Sequence, residues 1–232
     1  MIILGIDTST KTGSIAIVSG RGVMAQYTLN LEITHSERLM ASVDRVLTDT
    51  GMSLSQMDAF AVSLGPGSFT GLRIGLATVK GLALASDKPV AGVPTLKALA
   101  WNLPHAAFPV CTLLDARKNE VYAALYTHEE GRMRQTMEET VLPLVRLRER
   151  VSEKAIFTGE AALQFREEIE RLFGGNAVFA PLSALLPSAA AVAEIGLEMI
   201  ADNCCHDPDS LVPLYIRRPE AEVAWEKQSG LK

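Results

Sequence analysis

Cysteine is scarce in this chain: Cys111, Cys204 and Cys205 are the only three, and two are adjacent. An odd count with that spacing supports neither a disulfide framework nor a zinc site, and it suits a reducing cytoplasm. No apolar run approaches the roughly 18–20 residues that a membrane-spanning helix needs. The apolar opening from Met1 to Ile6 has no basic segment and meets Asp7 at once, so a signal peptide is not expected. Basic residues are outnumbered, with 22 Lys and Arg against 27 Asp and Glu for a net charge of −5. A broad nucleic-acid-binding surface is therefore not expected. Among His35, His105, His128 and His206, no two stand three to five residues apart. No helical metal-binding pair follows, and no metal is expected. What the chain does have is apolar content, 48% of 232 residues. That is enough for a substantial core in one domain or two small lobes.

The elements repeat in order. Ile2–Ile6 reads as a β-strand closed by Asp7, and Gly13–Val18 and Val23–Leu29 follow as a meander with a Gly-rich turn between them. Thr34-His35-Ser36-Glu37 has capping-box spacing before a helix that runs to Gly51. A strand over Asp58–Leu64, a helix over Thr70–Ala85, a strand over Pro89–Val93 and a short helix over Pro94–Trp101 complete this half. From Val110 the order starts again: strands near 110–114, 120–126 and 132–141, then helices and strands in alternation to a last helix over Ser188–Asp202. The first strand of each half ends in an aspartate, Asp7 and Asp115. A duplicated α/β pattern of this kind, opening on antiparallel strands, predicts the actin-like (ribonuclease H-like) fold with two lobes, 1–103 and 104–207. Residues 208–232, polar and proline-rich, read as a tail.

The stretch from Gly65 to Gly75, GPGSFTGLRIG, lies between a strand and a helix. Backbone N–H groups and the helix dipole could hold an anion there. It matches neither the P-loop nor G-x-G-x-x-G. The plainer reading is a tight turn capped by Ser68 or Thr70, with Gly71 and Gly75 admitting another backbone. Asp7, Thr8, Ser9, Gly67 and Ser68 are the candidate phosphate-side residues, and Asp7-Thr8 can equally cap a hairpin turn. The second-half loop, Asp115-Ala116-Arg117-Lys118-Asn119, lacks glycine and would crowd a phosphate, while Gly159 is the one candidate on the adenosine side. Any nucleotide site is therefore expected to be weak or vestigial. Glycines at 71, 75 and 81 in one helix cost about 1 kcal/mol each relative to alanine. Close packing must compensate, either within the chain or against a second one.

Five strings resemble the bacterial TsaB (YeaZ) family: Ile3–Ser9, His35-Ser36, Gly65–Gly75, Asp115–Tyr122 and Pro213–Arg217. The resemblance implies the duplicated actin-like fold and a part in making threonylcarbamoyladenosine beside the anticodon of ANN-decoding tRNAs. It implies a non-catalytic scaffold that pairs with a TsaD paralogue and a TsaE ATPase. No cofactor would be held tightly, although ATP or ADP could sit at the subunit boundary. tRNA would be met only through the complex, and the chain alone would form a homodimer. The family contact uses the first two helices, which maps the partner interface here to His35, Ser36, Met40, Gly71, Arg73, Ile74, Gly75 and Thr78. The rival readings are a small actin-like ATP-dependent kinase and a metallopeptidase. The glycine-free Asp115 loop counts against the first, and the missing histidine pair against the second.

Overall fold

The computed structural model describes residues 1–30, 35–129 and 132–217, with no side-chain detail at 30 and 35–37. The expected strand at Ile2 becomes β1 (Ile2–Asp7), and the meander continues through β2 (Thr12–Ser19) and β3 (Gly22–Asn30). Helix α1 (His35–Thr50), β4 (Ala59–Gly65), α2 (Phe69–Ser86), β5 (Val90–Pro94) and α3 (Thr95–Trp101) follow. The second series is β6 (Val110–Asp115), β7 (Val121–Glu129), β8 (Arg132–Leu142), α4 (Leu144–Arg150) and β9 (Ala155–Thr158). It closes with α5 (Glu160–Gln164), α6 (Arg166–Phe173), β10 (Ala177–Phe179) and α7 (Ala189–Ala201).

The first sheet has the order β3-β2-β1-β4-β5 and the second β8-β7-β6-β9-β10, the same path twice. In each, the first strand pairs antiparallel with the second and parallel with the fourth. Asp7 and Asp115 thus occupy equivalent ends of central strands. Because β1 is covered on both faces, Ile3 to Ile6 are buried without alternation. Leu4 and Ile6 join the α1–α2 side of the core, and Ile3 joins the α7 side.

The helices divide differently from the expected lobes. Helix α7, assigned by sequence to the second lobe, lies across β1, β2, β4 and β5 of the first sheet. Small residues allow the fit: a methyl added at Gly196 would come 2.7 Å from the Ala61 Cβ, and one at Gly5 would come 2.9 Å from the Ala193 Cβ. Helix α3, expected in the first lobe, places Leu96, Leu99 and Ala100 against Val110, Leu114 and Tyr126 of the second sheet. The expected boundary at 103 is therefore crossed by packing in both directions. The helix expected over 161–173 is two helices meeting at Phe165. The expected tail is also corrected in its first part, since Leu211 is buried in the first lobe's core and Leu214 N donates to Leu64 O at 2.7 Å.

Candidate functional site

Strand β1 delivers Asp7 to the end of the first sheet, where it is fully buried. A carboxylate there must be solvated by the protein, and hydroxyls do so. Ser9 Oγ donates to the Asp7 carboxylate (3.1 and 3.0 Å to its two oxygens), Ser9 N donates to Oδ1 at 3.2 Å, and Ser63 Oγ donates to Oδ2. Ser63, on β4, carried no signal in the sequence beyond its place at a strand end. Thr8, Ser9 and Thr10 are buried beside Asp7.

The Gly65–Gly75 stretch closes over this turn. Ser68 caps α2, its Oγ accepting from Gly71 N at 3.2 Å. Ser68 N donates to Ser9 O at 2.6 Å, so an amide that could have faced an anion is spent on the chain itself. A methyl at Gly67 would overlap the Ser9 carbonyl, and one at Gly71 the Thr8 carbonyl. Thr8 Oγ1 donates to Gly71 O at 2.8 Å. The structure thus brings Asp7, Thr8, Ser9, Gly67 and Ser68 together as expected, but as partners of one another.

The second half differs at the equivalent turn. Arg117, Lys118 and Asn119 have φ of 61°, 55° and 59°, three successive left-handed residues without a glycine. Such a conformation costs roughly 1–2 kcal/mol each at Arg117 and Lys118, and less at Asn119, since asparagine visits this region readily. Asp115 Oδ1 accepts from Arg117 N at 2.8 Å and Ala116 N donates to Glu120 O at 3.0 Å, which pins the turn. Glu160, half-buried at the start of α5, is held above the usual carboxylate range by burial, then by the charge of Asp115, against the opposing pull of Lys11. The two carboxylates lie close enough to couple, and such a pair disfavours a further negative charge beside it. Gly159, the candidate adenosine-side residue, has φ 107°, and a methyl there would overlap the Leu113 carbonyl. Its glycine serves the packing of β9 on β6.

The interface residues separate into two groups. His35 and Ser36 begin α1, but their side chains lie outside the described residues. Met40 and Arg73 are exposed, and Ile74 and Thr78 are half-buried. Gly71 and Gly75 are corrected: both are buried, and a methyl at Gly75 would overlap Thr8 Oγ1 and stand 3.7 Å from Val62 Cγ2. They admit β1 of the same chain. Gly81 has open space where its Cβ would be, and Leu84, missed in the sequence, is 84% exposed on the same helix. His105 and His128 are far apart in sequence, yet their ring centroids are 5.1 Å apart. Among the described residues no group of three or more His, Cys, Asp or Glu side chains is placed to hold a metal. No described helix is long and apolar enough to cross a membrane.

A sheet path repeated twice, with an aspartate closing the first strand of each half, defines an actin-like protein, here one whose Asp7 turn is filled by its own backbone. A family profile described as TsaD, tRNA N6-adenosine threonylcarbamoyltransferase, matches residues 23–225. The Bacillus subtilis tRNA threonylcarbamoyladenosine biosynthesis protein TsaB is 33% identical over 97% of this chain and 98% of its own. The chain belongs to that family, and within it to the TsaB group. A solved YeaZ from Pseudomonas aeruginosa is 30% identical, covers 92% of this chain and 99% of its own, and superposes with a TM-score of 0.78. Component A of the Acidaminococcus fermentans (R)-2-hydroxyglutaryl-CoA dehydratase shares the fold alone, at a TM-score of 0.53 and 13% identity over 87% of this chain and 99% of its own.

Proposed function

We propose that this chain is a non-catalytic scaffold subunit in tRNA threonylcarbamoyladenosine synthesis, working in the cytoplasm beside a TsaD-like paralogue and a TsaE-like ATPase. The observation that carries the reading is the self-filled turn: Ser68 N bonded to Ser9 O, with Gly67 and Gly71 pressed on the carbonyls of Ser9 and Thr8. A kinase of the same fold must open that space to phosphates, and the half-buried Glu160 beside Asp115 makes the second half's turn unfavourable to an anion. Nucleotide, where present, is held mainly by the partner at the subunit boundary, and tRNA meets the partner. The contact face is the outward side of α1 and α2, with Met40, Arg73, Thr78 and Leu84, and without a partner this face pairs two copies of the chain.

Reconstitution tests this directly. Modification of an ANN-decoding tRNA by the TsaD-like and TsaE-like proteins is expected to require this chain, and Leu84→Asp is expected to abolish both association and modification while the lone chain stays folded. Calorimetric titration of the isolated chain with ATP and magnesium is expected to give at most weak binding. Low-micromolar affinity lost in Asp7→Ala would overturn the scaffold reading in favour of the kinase.

A further inference from the structure

We propose that residues 207–217 form a latch that couples helix α2 of the first lobe to the left-handed turn of the second. The segment is anchored on the first lobe along its length. His206 N donates to Val90 O at 2.8 Å, Leu211 is buried, Lys80 Nζ donates to Asp209 O at 3.2 Å, and Leu214 N donates to Leu64 O at 2.7 Å. Gly65, with φ 121°, leaves room for this crossing, because a Cβ there would stand 2.7 Å from Leu214 O. At the start of α2, Tyr215 stacks on Phe69 with ring centroids 5.3 Å apart, and its hydroxyl accepts from Arg73 Nε at 3.0 Å. The Arg73 guanidinium in turn lies 3.8 Å from the Phe69 ring centre.

Two residues later the chain has changed lobes. The Arg217 guanidinium donates to Ala116 O and to the Glu120 carboxylate, gripping both ends of the turn that contains Arg117, Lys118 and Asn119. Both members of the ion pair are largely shielded, at 23% and 30% exposure, so water screens it less than a surface pair. Two residues span at most about 7 Å. A shift of the backbone at Tyr215 is therefore carried to Arg217, and the turn relaxes only by releasing Arg217. The strained backbone of that turn and the aromatic contact on α2 form one mechanical unit. A partner seated on α2 in the manner proposed above would bear on Arg73 and Phe69, and through them on the second lobe.

Hydrogen exchange on the full chain tests the coupling. Arg217→Ala is expected to speed exchange of the Ala116 and Glu120 amides at least tenfold. Tyr215→Ala, altered only at the α2 end, is expected to speed the same two amides comparably, and the double variant little further. Protection of the β1 and β7 amides is expected to be unchanged in all three. If Tyr215→Ala leaves the Ala116 and Glu120 amides at the wild-type rate while Arg217→Ala frees them, the two ends act independently and the latch is refuted. Equal wild-type rates in both variants refute it too. Should Arg217→Ala not fold, Glu120→Gln removes the ion pair with the Arg217 side chain in place, and the same comparison with Tyr215→Ala decides.

Discussion

Two glycines of α2 provide a test of opposite signs within one helix. At either position, alanine gains about 0.8–1.0 kcal/mol in a helix interior. At Gly81 nothing lies within 4 Å of the new methyl, so Gly81→Ala keeps that gain. At Gly75 the methyl overlaps Thr8 Oγ1, a buried hydroxyl whose bond to Gly71 O fixes it in place. Overpacking of that kind costs about 1–3 kcal/mol, and a displaced Thr8 hydroxyl adds about 1 kcal/mol for its lost bond. The net expectation for Gly75→Ala is a loss of about 1–3 kcal/mol after the helix gain is subtracted. For a chain of this length that is a melting temperature lower by about 2–12 °C, against a rise of about 2–4 °C for Gly81→Ala. Urea denaturation followed by circular dichroism, with unchanged slope, measures both. A Gly75→Ala protein as stable as Gly81→Ala would refute the inward placement of Gly75 and return that glycine to the outer face of the helix.

Arg117→Gly relieves one left-handed residue that carries a Cβ penalty and is expected to stabilise by about 0.5–1 kcal/mol, read as a raised denaturation midpoint. Cys111 is fully buried and its thiol is pushed far up by that burial, while Cys204 and Cys205 are exposed. Titration of the native chain with a thiol reagent is therefore expected to consume two equivalents quickly and a third only on unfolding. Glu160 has a folded-state pKa above its unfolded value, so the folded chain binds the extra proton between the two values. Stability contributed at this site falls as pH rises through that window. Glu160→Gln is expected to be more stable than the parent at neutral pH, with the difference shrinking below the ordinary carboxylate range. A difference that grows on acidification would refute the assigned cause.

The sheets were legible because their signals are local. Short apolar runs rich in β-branched residues, the Gly-rich turn after Ser19 and the capping serine at Ser68 each fix an element without help from distant residues. What was not legible depends on which surface meets which. Gly71 and Gly75 announce close approach equally well whether the approaching backbone is another chain or Thr8 of the same one. Helix α7 is alanine-rich and apolar, so its pattern says that it is covered but not by which sheet. The segment after Pro208 looks like a tail because its anchors are mostly backbone atoms, Asp209 O and Leu214 N, which leave no trace in composition. Arg217 and Glu120 sit in strings that carried the family resemblance, yet nothing in either string pairs them. His105 and His128 meet only because the linker after α3 folds back on β7.

The return of α7 to the first sheet bears on how the chain is made. During synthesis from the N-terminus, strands β1, β2, β4 and β5 are complete once Pro94 has emerged, but the face formed by Ile3, Ala16, Val18, Ala61 and Ala91 stays uncovered until residues 189–201 are available. From the emergence of Pro94 until α7 is made, the nascent first lobe carries an open apolar face, the kind of surface that chaperones bind and that drives misassembly. Truncation anywhere before residue 189 leaves it in that state permanently. A chain that stops short of α7 is thus a lesion to which this architecture is especially exposed, although both of its sheets are already made.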